Sequence, residues 1–166
     1  MKLGPPVRAD IYMAIHIWTV LCRQSIDDKE DGSVSLIGVL EGLKFDPPIP
    51  HEAYAEKPIF IGLGGFSAAT LVSLWRRSDR DSPEEFISRM SIIDPKKKVL
   101  QEVELPIQIF DGHQHRQSYK FPALGYSGPG VYFFKIEQQV ESKGKKRWVK
   151  EAMLPLELGM SDAPKR

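Results

Sequence analysis

Apolar and polar residues alternate with a period of two along much of this chain, the spacing expected of strands that bury one face. From Val99 to Phe110, Val103, Leu105, Ile107 and Ile109 interleave with Glu102, Glu104 and Gln108. Pro106 within that run predicts a strand at or near a sheet edge, where a missing amide breaks no ladder. Gln114 to Phe121 puts Gln117, Tyr119 and Phe121 on one side and Arg116, Ser118 and Lys120 on the other. A Gly128-Pro129-Gly130 turn then leads into Val131–Ile136, where Tyr132, Phe134 and Ile136 share a face opposite Lys135, Glu137 and Gln139; this reads as an interior strand. Ser142 to Lys146 turns the chain into a last strand, Trp148 to Leu158, with Ala152, Leu154, Leu156 and Leu158 facing inward. Upstream, Glu85 to Asp94 carries Phe86, Met90 and Ile92 on its inner face and ends in the turn Asp94-Pro95-Lys96-Lys97-Lys98.

The first half is less regular. Ile11 to Arg23 is apolar on both alternating faces, which predicts a strand covered on both sides. A polar loop, Asp27 to Gly32, separates it from a second β-rich run, Val34 to Phe45, so the two should form a hairpin with a long tip. Pro47, Pro48, Pro50 and Pro58 make Asp46 to Pro58 a surface crossing between sheets. Region 66–76 fits either a strand, with Ala69, Leu71 and Trp75 opposite Val72 and Leu74, or one short helix; the β-patterned surroundings favour the strand. Together these elements predict an all-β, two-sheet antiparallel immunoglobulin-like sandwich of about seven or eight strands. Residues 1–160 form one domain in this reading, and 161–166 a tail.

A first apolar strand, a second strand with Ser35-Leu36-Ile37-Gly38-Val39-Leu40, the strand exit Ile93-Asp94-Pro95 and the late strand entry Pro129-Gly130-Val131-Tyr132-Phe133-Phe134 together resemble an uncharacterised family of small bacterial immunoglobulin-like β-sandwich proteins. The resemblance spans roughly Ile11 to Leu158. It implies the sandwich fold and brings no established activity, hence no catalytic residues. Asp46 to Gly65 is longer than that pattern expects and could be a binding feature of this member.

Composition narrows the function classes. The chain has 166 residues, 42% hydrophobic and 27% charged, with a net charge of +1, which offers no bulk attraction to nucleic acid or membranes. Cys22 is the sole cysteine, excluding an intrachain disulfide and a multi-thiolate zinc site. The Ile11–Cys22 run has some features of a signal-peptide core, but Asp10, His16 and the absence of a small-x-small cleavage site argue for a buried strand and a cytoplasmic protein.

Candidate chemistry is sparse. His113 and His115, two apart on an expected strand, would project to one side and could begin a metal site with Asp111, zinc being the default ion. Gly62-Leu63-Gly64-Gly65 lacks P-loop spacing and reads as a bend. The basic turns Lys96–Lys98 and Lys143–Arg147 are ordinary soluble hairpin tips, although Lys143, Lys145, Lys146, Arg147 and Trp148 form the best partner-binding candidate. Trp75 and Trp148 could serve a carbohydrate platform if exposed. No nucleophile sits in a catalytic turn, and Glu84 and Glu85 point oppositely on a strand. The expectation is therefore a non-enzymatic, cofactor-free protein that recognises another protein through loops or an exposed sheet edge, with a metal-binding protein as the alternative and carbohydrate binding third.

Overall fold

The computed structural model describes residues 13–30, 32–45, 48–63, 69–79, 81–110 and 112–160. Within them the chain is all-β: eleven strands and a single 3-10 turn at His51–Ala53. The strands are β1 (Ile15–Asp27), β2 (Val34–Val39), β3 (Gly42–Phe45), β4 (Ile59–Gly62), β5 (Ala69–Arg76), β6 (Glu84–Ile93), β7 (Val99–Ile109), β8 (Gln114–Phe121), β9 (Ala123–Tyr126), β10 (Gly130–Ser142) and β11 (Lys145–Met160). One sheet runs β2-β1-β5-β8, a second β3-β11-β10-β6-β7, and a two-stranded ribbon pairs β4 with β9. All pairs are antiparallel except β3 with β11.

The alternation of β10 explains why it sits inside its sheet. Tyr132, Phe134 and Ile136 are buried to within 2% of their surface, and the strand is hydrogen-bonded to β11 on one side and β6 on the other. The inner faces of the two large sheets meet where Phe121 of β8 packs edge-on against Phe134, ring centroids 5.6 Å apart, and where Trp75 of β5 lies 4.9 Å from Phe86 of β6. Each such buried aromatic or aliphatic side chain contributes roughly 1.5–3 kcal/mol by leaving water. β7 is the edge strand that Pro106 predicts.

Several expectations change. The described residues form eleven strands where about seven or eight were expected, arranged as two large sheets with an added two-stranded ribbon. Residues 69–76 are strand, with Ala69, Leu71 and Trp75 in the core, so the short helix does not form there; 66–68 lie outside the described residues. The Val34–Phe45 run breaks at Leu40-Glu41 and changes sheets, β2 pairing with β1 and β3 with β11. β9 has no counterpart in the sequence reading. β1 is not covered evenly on both faces: Leu21 and Cys22 are buried, but Ile15 and Ile17 are each 40% exposed beside a bulge at His16/Trp18.

β1 also bends. Trp18 stands opposite Leu74, and Leu74 opposite Arg116. Asp27 lies nine residues beyond Trp18, about 30 Å of straight strand. Yet the Arg116 guanidinium donates to Asp27 Oδ1 at 2.8 Å and to the Gly32 carbonyl at 3.0 Å. The hairpin tip must therefore curl back toward β8. Gly38, opposite Arg23 in the hairpin register, has φ +63 and lets the partner strand follow that curve; a Cβ there would meet the Arg23 side chain at 3.1 Å.

Candidate functional site

His113 and His115 do not share a strand face. β8 begins at Gln114, so His113 occupies the bend before it, while His115 lies in register with Trp75 on β5. Burial holds the His115 imidazole below its ordinary pKa. His113 Nδ1 is 3.1 Å from Nη2 of Arg77, and since guanidinium only donates, Nδ1 accepts and the ring proton of the neutral imidazole resides on Nε2. A cation, not a carboxylate, thus stands beside the imidazole. Among the described residues no three His, Cys, Asp or Glu side chains gather as a metal set; Asp111 lies outside the described residues.

Lys143, Lys145, Lys146 and Arg147 occupy the tip of the β10–β11 hairpin and are exposed. Lys143 (φ 53) and Gly144 (φ 71) both adopt the left-handed conformation of a two-residue type I′ turn, whose twist matches the strands it joins. Trp148 is held differently. Its ring carries the Arg89 guanidinium at 4.0 Å, and Arg89 also binds Glu137 Oε2 through Nη2 at 2.7 Å. Lys135 reaches the same oxygen at 3.1 Å, and Ser91 donates to Glu102 at 3.0 Å. Burial would raise the Glu137 carboxyl, but Lys135 and Arg89 outweigh it and hold the group below its ordinary value. This network ties β7, β6, β10 and β11 together across the outer face. Trp75 is fully buried and offers no open ring for sugar stacking, and Arg89 occupies one face of the partly exposed Trp148.

Cys22 is fully buried, and burial raises its thiol pKa, making it a poor nucleophile. Glu84 is spent on the loop before it: Oε1 accepts from the Ser78 amide at 2.8 Å, the Ser78 hydroxyl and the Asp79 amide at 3.3 Å. Glu85 receives the Gln108 amide at 3.0 Å. No helix of the described residues is long and apolar enough to cross a membrane.

Sheet edges differ in how they are guarded. β7 carries Pro106, Glu102 and Glu104; β8 carries Arg116 and Lys120; β3 is four residues long and includes Lys44. β2, Val34-Ser35-Leu36-Ile37-Gly38-Val39, has neither proline nor charge. Val39 is 61% exposed and Ile37 46%, with Ile26 of β1 beside them at 47%. The uncharged run was visible in the sequence; its edge position was not.

No family model matches this chain, and no curated protein matches it.

Proposed function

We propose that this chain is a non-enzymatic cytoplasmic recognition domain on an immunoglobulin-like two-sheet framework, and that it binds an extended segment of a partner protein along β2. The observation that carries the reading is the unguarded edge. Natural sheets protect their terminal strands with proline, lysine or short length, because an open row of backbone donors and acceptors pairs with any suitable chain. β2 lacks the proline and the charge, while the other terminal strands of the two large sheets, β3, β7 and β8, carry one or both; β4 and β9 of the small ribbon also lack them but are only four residues long. An added strand would satisfy backbone groups, and Ile37 and Val39 would supply alternate apolar contacts for specificity.

The immunoglobulin-like part of the reading is supported by Tyr132. Its hydroxyl donates to the Gly128 carbonyl at 2.7 Å and accepts from the Ser127 amide at 2.8 Å. A tyrosine near a strand start bonding back to the backbone just upstream is the tyrosine-corner arrangement of such sandwiches.

Affinity capture from host extract with wild-type protein and with an Ile37→Lys/Val39→Lys variant tests the reading. A Val99→Lys variant, on an exposed site of β7, is the control. The expected result is a co-purifying protein lost only from the β2 variant, with hydrogen exchange of β2 amides slowed when that protein is added. Retention by the β2 variant, or unchanged β2 exchange in the complex, would sink the proposal.

A further inference from the structure

The same imidazole that the sequence offers to a metal borders a cleft suited to the opposite charge. Register places Ile15, Arg76 and Gln114 in one row across β1, β5 and β8. Just beyond that row, the Arg77 amide donates to the His113 carbonyl at 3.0 Å, which prolongs the β5–β8 ladder and brings the two side chains together. The resulting cleft, of about 320 Å³, is lined by Ile15, Arg76, Arg77, Ser78, His113 and Gln114. None of the six is acidic.

Arg77 is the unusual member. It is only 9% exposed, yet its described hydrogen bonds go to neutral groups, the Ser82 carbonyl at 3.3 Å and His113 Nδ1, and its Nε is buried without a partner. A guanidinium taken this far from water ordinarily has a carboxylate against it. Two carboxylates are nearby and neither lines the cleft. Glu84 Oε1 is committed to the Ser78 and Asp79 amides while its Oε2 is buried without a partner among the described residues, and Asp79, whose charge Arg77 feels without a direct ion pair, accepts the Asp81 amide at 3.0 Å and the Ser82 hydroxyl at 2.8 Å. Arg76 adds a second, exposed guanidinium, and the Nε2–H of the neutral His113 ring adds a donor.

We propose that this cleft binds a phosphate group, with Arg76 and the outer N–H groups of Arg77 supplying charge and His113 and Gln114 supplying neutral donors. Planar guanidinium forks match phosphate oxygens in pairs, and a cleft of this size admits a small phosphate-bearing molecule as well as the free ion. The site lies at the β5–β8 end of its sheet, on strands other than β2.

Calorimetric titration of the full chain with inorganic phosphate, and separately with glycerol phosphate, at ionic strength held constant with chloride, tests this. Saturable binding is expected in at least one titration, and the tighter of the two tells whether the group arrives free or as an ester. Arg76→Gln alters an exposed side chain and should leave the melting temperature unchanged while weakening binding roughly tenfold, the loss of one charge-assisted contact. His113→Ala, also at an exposed residue, should weaken it less. No saturable heat with either probe, or binding undiminished in the Arg76→Gln/His113→Ala double variant, would overturn the proposal.

Discussion

Removing the Tyr132 hydroxyl tests the corner that joins the β9–β10 turn to the core. The residue is 1% exposed, and its hydroxyl makes two short bonds to backbone, donating to Gly128 O at 2.7 Å and accepting from Ser127 N at 2.8 Å. Tyr132→Phe leaves both backbone groups without that partner, so the cost is the desolvation of stranded polar groups, about 1–3 kcal/mol, and not merely the modest net gain of a hydrogen bond. For a chain of this size that lowers the melting temperature by roughly 2–4 °C per kcal/mol. Tyr126 is the internal counterexample. Its ring stacks on Tyr132 at 6.2 Å, and its hydroxyl is buried without a hydrogen bond of good geometry among the described residues, its interaction of that kind being a marginal one with the Tyr54 phenol. Burial, reinforced by the Tyr54 and Tyr132 phenols, pushes Tyr126 up to about 12. Tyr126→Phe deletes a poorly satisfied group and should be neutral or stabilising by up to about 1 kcal/mol. Urea unfolding at constant m-value measures both. Equal effects for the two variants, or a Tyr132→Phe loss under about 0.5 kcal/mol, would refute hydrogen-bond satisfaction as the deciding factor.

Three further outcomes follow from the same geometry. Gly130 has φ +143, and a Cβ there would lie 2.7 Å from Pro95 Cγ, so Gly130→Ala should destabilise by about 2 kcal/mol or more, read from thermal melts. Arg116→Ala removes an exposed ion pair and should cost about 0.5 kcal/mol globally, while hydrogen exchange in the β1–β2 hairpin accelerates; unchanged exchange would mean the curl does not depend on Arg116. Glu137 has a folded-state carboxyl below its ordinary value of 4.5, so its pairing stabilises above that pH and the contribution is lost as pH falls from there through the folded value. Urea midpoints of Glu137→Gln should accordingly vary less with pH over that acid range than those of wild type.

The late strands were legible because each buries one face, which leaves a period-two record: β6, β7 and β8 appear in the sequence within a residue of their observed bounds, and β10 in its start and its inward face, though it runs on past Ile136 to Ser142. β11 was legible in its inward residues and not in its length, since the charged Lys145–Arg147 segment pairs with Val140–Ser142 at an exposed hairpin tip where no burial marks the strand. β9 was invisible for a related reason. Four residues, Ala123-Leu124-Gly125-Tyr126, are too few to display a period, and their pairing with β4 depends on a contact across more than sixty positions. The sheet change at Leu40-Glu41 likewise has a long-range cause: the Leu40 amide bonds back to Leu21 in one sheet, whereas the Glu41 carbonyl accepts from Glu157 in the other.

The phosphate cleft shows why charge sign at a site is harder to read than strand pattern. His113, Gln114 and His115 suggest a cation site when viewed along the chain, because two imidazoles are the nearest ligating groups. What decides the local field is Arg77, thirty-six positions away, and it arrives only because Arg76 pairs with Gln114 at the end of the β5–β8 ladder. A shift of one residue in that register would turn Arg77 to the other sheet face and leave His113 without its guanidinium neighbour. The period-two pattern constrains which face each residue takes and says nothing of which strands lie side by side. The chemistry of this end of the sheet therefore rests on β5–β8 pairing, and substitutions that loosen that pairing should impair phosphate binding along with those that remove its donors.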